Sequence, residues 1–221
     1  MSSAEIGPAF ANRPSDTRPP IVYLEGNIGA GKSTLAAGLA RETAYTVIAE
    51  PVKDWQDVNG HNLLQLFSSD RGRWAMAFQS LVLATLTRRI PAESPTPLVL
   101  ERSAECAMTV FVADHQQAGF LADAEVEVLR TLRAALEPAP PPSVYIYVRT
   151  PPEIAFQRMA QRGRVEEQAI PLSFLHRLHD LHDQWLLQRE TSPVLTIDGT
   201  RSATDILAEA VKYLDDIFPA K

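Results

Sequence analysis

The stretch YLEGNIGAGKSTLAAGLA, residues 23–40, joins an apolar run to a helical pattern through a glycine-rich turn. Within it, residues 26–33 satisfy G-x-x-x-x-G-K-[ST], between the strand and the helix that this pattern requires. Such a loop turns backbone N–H groups onto phosphate oxygens, and a helix that begins near Lys32 adds the positive end of its dipole. The stretch therefore predicts a phosphate-binding loop at the first strand-to-helix turn of an α/β fold.

The loop and the first helical turn supply the predicted nucleotide-binding residues. Lys32 would neutralise charge on the terminal phosphate of ATP, and the Ser33 hydroxyl would hold Mg²⁺. A glycine-rich turn without a ligand is the alternative, which the strand, loop and helix together disfavour. The predicted set is Gly26, Asn27, Ile28, Gly29, Ala30, Gly31, Lys32, Ser33 and Thr34.

The composition excludes several classes of protein. The chain has 221 residues, 45% of them hydrophobic, and a formal charge of −6, as is typical of an ordinary globular domain. The acidic balance argues against a partner that is nucleic acid or a membrane surface, and no apolar run approaches the roughly 18 residues of a membrane span. Cys106, the only cysteine, excludes an internal disulfide and fits a reducing compartment.

The N-terminal residues differ in composition from the rest of the chain. Residues 1–19 are rich in Ser, Pro and Ala without periodicity, which predicts a disordered segment before a single domain over residues 20–221. A mitochondrial transit peptide is the alternative, although Glu5 and Asp16 offset the two arginines of the segment. We therefore expect a cytoplasmic protein, with a mitochondrial location as the alternative.

Short apolar runs alternate with helical patterns along the chain. The apolar runs are rich in Val and Ile and predict strands buried on both faces. They cover residues 20–25, 45–50, 97–101, 143–149 and 193–198. Helical patterns cover residues 32–43, 61–90, 103–117, 121–137, 151–162, 171–189 and 202–217. This order predicts a three-layer α/β/α fold of the P-loop NTPase type, with a five-stranded parallel sheet.

The loop alone does not distinguish a GTPase, a motor-type ATPase and a kinase. The sequence contains no N-K-x-D, and its third strand ends in Glu101 where many P-loop ATPases have an aspartate. The second strand ends in Glu50, at the edge where open α/β sheets bind ligands. If the phosphate acceptor is a hydroxyl, a carboxylate there can position it and take its proton. A solvated turn residue before Pro51 is the alternative.

Several separated segments, in order over roughly residues 20–190, resemble the deoxyribonucleoside kinase family. They are residues 50–83, the triplet 101–103 with Phe111 nine residues after Arg102, and residues 158–167. The multisubstrate, mitochondrial thymidine and deoxycytidine kinases are the most similar branches. The resemblance implies ATP-dependent phosphorylation of a deoxynucleoside 5′-hydroxyl for nucleotide salvage, with Mg²⁺ as cofactor and a homodimer as the assembly.

The resemblance also implies a role for individual residues. Glu50 would be the base for the 5′-hydroxyl, Arg102 would steady that oxygen and the phosphoryl group, and Glu101 would support Mg²⁺. Arg162 and Arg164 would belong to a mobile lid over the ATP phosphates; a solvated, charged helix end is the alternative. The implied nucleoside-binding residues are Trp55, Leu64, Phe78, Gln79, Val82, Leu86, Arg102, Ala107, Phe111 and Glu167.

Substrate preference follows from the same resemblance. Gln79 matches the glutamine that reads a pyrimidine edge, and Phe111 matches the ring that stacks on the base. Val82, Leu86 and Ala107 would line the space beside the base, and because all are apolar they leave room for the thymine methyl group. Thymidine and deoxycytidine are therefore the expected substrates. Without the resemblance, the helical spacing of these residues indicates an ordinary core-facing stripe.

Ser68 departs from the family pattern, which has a tyrosine there. That tyrosine and the acidic residue matching Glu167 grip the sugar 3′-hydroxyl. Serine is too short for the direct contact, so we expect tolerance of 3′-modified sugars. Two other functions stay open: a nucleoside monophosphate kinase, whose anionic acceptor requires extra basic residues, and a catalytically silent nucleotide-binding subunit of a larger assembly.

Overall fold

The computed structural model of the chain describes residues 21–91, 93–94, 96–137 and 142–218. The predicted N-terminal segment, residues 1–19, lies outside the described residues. Within them, five parallel strands form one sheet in the order β2-β3-β1-β4-β5. The strands are β1 (Ile21–Glu25), β2 (Thr46–Ile48), β3 (Leu98–Glu101), β4 (Ser143–Arg149) and β5 (Val194–Asp198). The predicted fold class is confirmed.

Helices cover both faces of the sheet. They are α1 (Lys32–Glu42), α2 (Val52–Gln56), α3 (Leu63–Ser69), α4 (Arg71–Arg88), α6 (Asp123–Leu136), α7 (Pro152–Arg162), α8 (Leu172–Leu186) and α9 (Ala203–Ile217). The helical segments Ala104–Cys106, Ala107–Val112 and Ala113–Gln117 follow one another, and we call them together α5. In the described part of the chain, no helix is long and apolar enough to cross a membrane.

The central strand β1 shows why the apolar runs form buried strands. It pairs with β3 and β4, with Ile21 opposite Leu98 on one side and Ser143 on the other, and all of its residues are buried. Leu39 of α1 and Leu214 of α9 pack on one face of the sheet, and α8 packs on the other. Helices therefore shield both faces of the sheet from water, as the non-alternating apolar pattern of the strands predicts.

The predicted helix over residues 61–90 is wrong in one respect, because the chain breaks it into α3 and α4. Asp70 lies between them with φ −147°, and its side chain accepts a hydrogen bond from the backbone N–H of Arg73 at 3.1 Å. An aspartate that caps a helix N-terminus satisfies a donor that the continuous helix would have used internally. The break redirects the chain between Ser68 and Arg71, two residues that face the site described below.

Candidate active site

A cavity of about 880 Å³ lies at the carboxyl edge of the sheet, a size suited to a small-molecule ligand. The glycine-rich loop forms one end, and aromatic and polar side chains from α2, α4 and α5 form the other. Most of the predicted site residues meet in its wall. They are Ile28, Gly29, Ala30, Gly31, Lys32, Ser33, Thr34, Glu50, Trp55, Leu64, Phe78, Gln79, Val82, Glu101, Arg102, Phe111, Arg162, Arg164 and Glu167.

Leu86 and Ala107 lie elsewhere than in this wall, as far as the described residues show. Both are buried in the apolar cluster that also contains Phe78 and Val82. Because Leu86 and Ala107 pack in the same cluster as two wall residues, they can influence a ligand through the packing of Phe78 and Val82. Gly26 and Asn27, the first two residues of the loop, are likewise not among the described residues that line the cavity.

Close packing against α7 and α8 determines the shape of the glycine-rich loop. Gly29 has φ +77°, and a Cβ there would lie 2.2 Å from the backbone oxygen of Ala155 in α7. The Asn27 side chain donates from Nδ2 to the backbone oxygen of Leu175 in α8 at 2.8 Å and accepts from the Ile28 N–H at 2.9 Å. Contacts with α7 and α8, which are distant in sequence, thus fix the backbone conformation of the loop. Its inward-facing N–H groups are then available to bind phosphate.

Lys32, the first residue of α1, is buried, and its side chain packs against the loop. Its Nζ donates to the backbone oxygens of Gly26 and Asn27, both at 2.9 Å. Burial, with the positive charge of Arg102 adding to it, lowers the pKa of the ammonium group to about 8. An anionic ligand would restore the charged form, because it supplies the counter-charge that the loop carbonyls only partly provide.

Glu50 and Arg102 form a buried ion pair at the carboxyl ends of β2 and β3. Arg102 Nε donates to Glu50 Oε1 at 2.6 Å, and the two side chains are only 5% and 17% exposed. Burial alone would raise the pKa of Glu50, but Arg102 and then Lys32 hold it below its usual value. Glu50 therefore stays ionised, next to the phosphate loop and facing the cavity.

Arg102 adopts an unusual backbone conformation. Its φ is +68°, in the left-handed region, which costs a non-glycine residue about 1–2 kcal/mol. The guanidinium lies over the Phe111 ring, 4.5 Å from its centroid, and donates to Cys106 Sγ at 3.4 Å. The strained backbone directs this side chain toward Glu50, and such strain is common where a side chain must be placed accurately.

Arg89, at the end of α4, holds this pair in place and is a residue that sequence reasoning missed. Its guanidinium donates to the backbone oxygens of Ala49 at 2.8 Å, Glu101 at 2.7 Å and Arg102 in a short contact. Ala49 directly precedes Glu50, and Glu101 directly precedes Arg102. One side chain therefore links the end of β2 to the end of β3. Nothing in the Arg-Arg doublet at the helix end distinguishes it in the sequence.

Ser33 and Glu101 lie together beside the loop. Ser33 Oγ donates to Glu101 Oε1 at 2.7 Å, and Glu101 Oε2 has a long contact of 3.5 Å with the Glu50 N–H. A hydroxyl and a carboxylate are the hard oxygen ligands that Mg²⁺ prefers. The donor set therefore fits the predicted magnesium ligands, which the structure brings within hydrogen-bond distance of each other.

Arg162 and Arg164, the two arginines predicted to belong to a lid, meet at one carboxylate. Arg162 donates to both oxygens of Glu167 at 2.7 and 2.8 Å, and Arg164 donates to Oε1 at 2.8 Å. Gly163, with φ +69°, ends α7 between them. The neighbouring Glu166 has different partners, because Gln56 of the cavity wall and Asn62, which caps α3, each donate to it at 2.9 Å. Both arginines line the cavity, and the single carboxylate of Glu167 offsets only part of their combined charge.

The far end of the cavity is a flat apolar slot with a polar edge. The rings of Trp55 and Phe78 meet edge-to-face at 5.7 Å, and the Trp55 Nε1–H is satisfied by Thr85 Oγ1 at 2.9 Å. Gln79 is 2% exposed, and its Oε1 has no hydrogen-bond partner among the described residues. A buried amide oxygen without a hydrogen-bond donor lowers stability by about 1–3 kcal/mol. A ligand with an N–H group could supply the missing donor.

Comparison with known proteins places these features in one family. A sequence profile described as "Deoxynucleoside kinase" matches residues 22–214. The mitochondrial thymidine kinase 2 of Homo sapiens is 32% identical over 192 residues, which cover 81% of this chain and 70% of that protein. The probable deoxycytidine kinase FPV151 of fowlpox virus is 31% identical over 206 residues, covering 89% and 86% of the two chains. Human deoxycytidine kinase is 29% identical over 245 aligned positions, covering 93% and 94%.

Proposed function

Because the chain belongs to the deoxynucleoside kinase family, we propose that it transfers the terminal phosphoryl group of ATP to the 5′-hydroxyl of deoxynucleosides, with thymidine and deoxycytidine preferred. The observation that carries the proposal is the Glu50–Arg102 pair, 2.6 Å apart, in the wall of a cavity that also contains the phosphate loop. A nucleoside base in the slot at Gln79 and a phosphate at Lys32 leave the sugar between them, beside Glu50.

Glu50 is the proposed base for the 5′-hydroxyl. Its pKa is held below the usual value by Arg102 and Lys32 in spite of burial, so it is ionised at neutral pH and a weak base. A weak base suffices, because phosphoryl transfer passes through a loose transition state in which the attacking hydroxyl keeps its proton until late. The carboxylate first orients the hydroxyl by accepting its hydrogen bond and then takes the proton.

Positive side chains around the loop would stabilise the charge that spreads over the transferring group. Lys32 and Arg102 are fixed within the wall, whereas Arg162 and Arg164 reach it from the segment after α7. The two lid arginines would exchange Glu167 for phosphate oxygens when ATP binds. Ser33 and Glu101 would hold Mg²⁺, which when bound neutralises phosphate charge.

The preference for pyrimidines rests on the apolar slot and on Gln79. The unpaired Oε1 of Gln79 would accept from a base N–H, and its amide would donate back to the base. Trp55, Phe78 and Val82 supply an apolar surface on which the thymine methyl would pack. Phe111 would stack on the base with the face that the Arg102 guanidinium leaves free.

Assembly and location complete the proposal. We infer a homodimer from the resemblance, which the mass of the native protein in solution would test. We infer a cytoplasmic location from the single cysteine. A mitochondrial location is the alternative that the names of two relatives favour.

The decisive assay is phosphoryl transfer from ATP to each of the four natural deoxynucleosides and to thymidine monophosphate, with wild type and Glu50→Gln. We expect Glu50→Gln to lower kcat by about 10²- to 10⁴-fold for the pyrimidine nucleosides. Glu42→Gln is the matched control, since that carboxylate is exposed on α1 and, among the described residues, pairs only with Arg41, also exposed.

Four outcomes would contradict the proposal. Unchanged turnover in Glu50→Gln would remove the proposed base. Far more efficient transfer to the purine nucleosides would remove the pyrimidine preference. Preferred transfer to thymidine monophosphate would indicate a nucleoside monophosphate kinase. Nucleotide binding without any turnover would indicate a silent member of a larger assembly.

A further inference from the structure

Three side chains that can ligate a metal ion lie together in the interior and have no role in the function proposed above. Glu25 ends β1, Cys106 belongs to the first segment of α5, and His182 belongs to α8. Each is 0% exposed. One carboxylate oxygen, the thiol sulfur and one ring nitrogen all lie within 4.8 Å of one another. We call these residues the Glu25–Cys106–His182 cluster.

His182 is oriented like a metal ligand. Its Nδ1 lies 2.6 Å from the backbone oxygen of Leu178, one turn earlier on α8. Because a carbonyl oxygen only accepts, the ring proton is on Nδ1, and Nε2 presents a lone pair. Burial, and then the positive charge of Arg102, lower the pKa of His182 to about 3, so the ring is neutral. Metal-binding histidines commonly have this arrangement, in which the other ring N–H donates to a carbonyl or a carboxylate.

The distance between Cys106 and His182 fits a tetrahedral ion. Cys106 Sγ lies 3.6 Å from His182 Nε2. With a Zn–S bond of about 2.3 Å and a Zn–N bond of about 2.0–2.1 Å, the two ligand atoms of a tetrahedral zinc ion are about 3.6 Å apart. The two side chains therefore need no movement to contact the same Zn²⁺.

Glu25 supplies the third ligand. Its Oε1 accepts the backbone N–H of Ser103 at 2.9 Å, whereas Oε2 is buried without a hydrogen-bond partner among the described residues. A buried polar atom of this kind often marks the place of an ion or a water molecule. From a separation of at most 4.8 Å, the carboxylate reaches tetrahedral spacing by moving about 1–1.5 Å or less.

The charges of the cluster allow a divalent cation to bind in the interior. In the metal-free protein, burial raises the pKa of both Glu25 and the Cys106 thiol, which favours their protonated forms. A zinc ion that bonds to the sulfur and to the carboxylate oxygen displaces these protons to the solvent, so the gain in buried charge is small. The Arg102 guanidinium, whose Nη1 donates to Cys106 Sγ at 3.4 Å, is already neutralised by Glu50.

We propose that the Glu25–Cys106–His182 cluster is a binding site for Zn²⁺, separate from the predicted magnesium ligands Ser33 and Glu101. A thiolate, an imidazole and a carboxylate together suit Zn²⁺, whereas Mg²⁺ prefers oxygen ligands alone. The proposal does not depend on the proposed function, because the cluster is formed by the fold whatever the cavity binds.

The ion has a structural role at this place. It cross-links the end of β1 to α5 and α8, three elements that are distant in the sequence. Glu25 directly precedes Gly26, the first residue of the phosphate loop, and Cys106 accepts a hydrogen bond from Arg102. Zinc therefore stabilises the fold next to the active site, since metal binding of this kind adds to the free energy of folding.

The test uses Co²⁺, which replaces Zn²⁺ in tetrahedral sites and absorbs light when a thiolate binds it. The purified full chain is stripped of metal with a chelator. It is then titrated with Co²⁺ in the native state and during refolding from urea, because a buried site can fill slowly. A thiolate-to-cobalt charge-transfer band can come only from Cys106, since the chain has one cysteine.

Three variants each remove one ligand. Cys106→Ser and Glu25→Gln preserve the size of the side chain, and His182→Phe keeps the ring that stacks on Tyr147 at 6.0 Å. The matched control is His176→Gln, because His176 lies on the same helix but is exposed and next to Glu153 at the surface. Folding of every variant is checked by circular dichroism.

Wild type should bind one Co²⁺ per chain with the thiolate band, and Zn²⁺ but not Mg²⁺ should abolish the band. Cys106→Ser should lose the band, and Glu25→Gln and His182→Phe should weaken Co²⁺ binding by about tenfold or more. His176→Gln should match wild type. At about 100 times its Kd, Zn²⁺ should raise the Tm of wild type by about 5–10 °C and leave that of Cys106→Ser unchanged.

A wild type without the thiolate band by either route of metal addition would overturn the proposal. Equal Co²⁺ affinity in wild type, Glu25→Gln and His182→Phe would also overturn it, since the thiol would then bind the ion alone. If a variant does not fold, the wild-type band, its loss on addition of Zn²⁺ and the Tm shift decide without it. A failure of the proposed function would appear as an absence of phosphoryl transfer, which none of these readouts measures.

Discussion

Replacing Arg89 by methionine tests whether the ends of β2 and β3 must be tied together for the site to work. The substitution removes the guanidinium that donates to the backbone oxygens of Ala49, Glu101 and Arg102. Glu50 follows the first of these oxygens directly, and Arg102 carries the last. Methionine retains most of the apolar stem, so the main loss is polar.

The size of the effect follows from burial. Glu101 and Arg102 are buried, whereas Ala49 is exposed and its oxygen can bind water instead. The substitution removes a charged donor from two buried acceptors, and each such hydrogen bond contributes roughly 1.5–3 kcal/mol. The largest expected loss of stability is therefore about 3–6 kcal/mol. Water entry and relaxation reduce this, so we expect a loss of about 2–4 kcal/mol in the free energy of unfolding. A shift of about 1 Å at Glu50 and Arg102 should lower kcat by about 10²-fold.

The assay combines urea unfolding, kcat for thymidine and the pH dependence of kcat/KM. Arg88→Met is the control, because the adjacent Arg88 is exposed and pairs at the surface with Asp54, a contact contributing about 0–1 kcal/mol. Arg89 is one of the positive groups that lower the pKa of Glu50, so its removal should move the acidic limb of kcat/KM to higher pH. If Arg89→Met behaves like Arg88→Met in all three measurements, the tie between β2 and β3 is not needed.

Two further predictions concern the phosphate loop. Gly29→Ala should abolish ATP binding, measured by calorimetry, because its Cβ meets the Ala155 oxygen; Gly60→Ala, also at positive φ but with nothing within 4 Å, should bind ATP normally. The kcat/KM for ATP should fall above pH about 8, the pKa of Lys32 in the free protein, since the neutral amine no longer attracts phosphate. The free energy of unfolding should rise over the same pH range, because burial favours the neutral form; a flat profile in both would contradict the assigned pKa.

Local patterns in the sequence are enough to predict the fold, the phosphate loop and the charged residues at the edge of the sheet. The glycine spacing of residues 26–33 specifies the loop, because backbone conformation depends on the residues themselves. The Val- and Ile-rich runs specify the buried strands, and their ends place Glu50 and Arg102 at one edge of the sheet. The resemblance to deoxyribonucleoside kinases rests on separated sequence segments, among them residues 50–83 and 158–167.

Packing between distant segments decides the rest. Arg89 can link β2 to β3 only because α4 ends next to these two strands. The sequence around Arg89 does not reveal this, since an arginine at the end of a helix is equally typical of an exposed surface charge. The break at Asp70 turns Arg71 toward the cavity, and the packing of α5 against Phe67 and Phe174 brings His115 beside it. Leu86 lies outside the cavity wall for the same reason. Such placements depend on the mutual orientation of whole helices, so only the tertiary structure determines them.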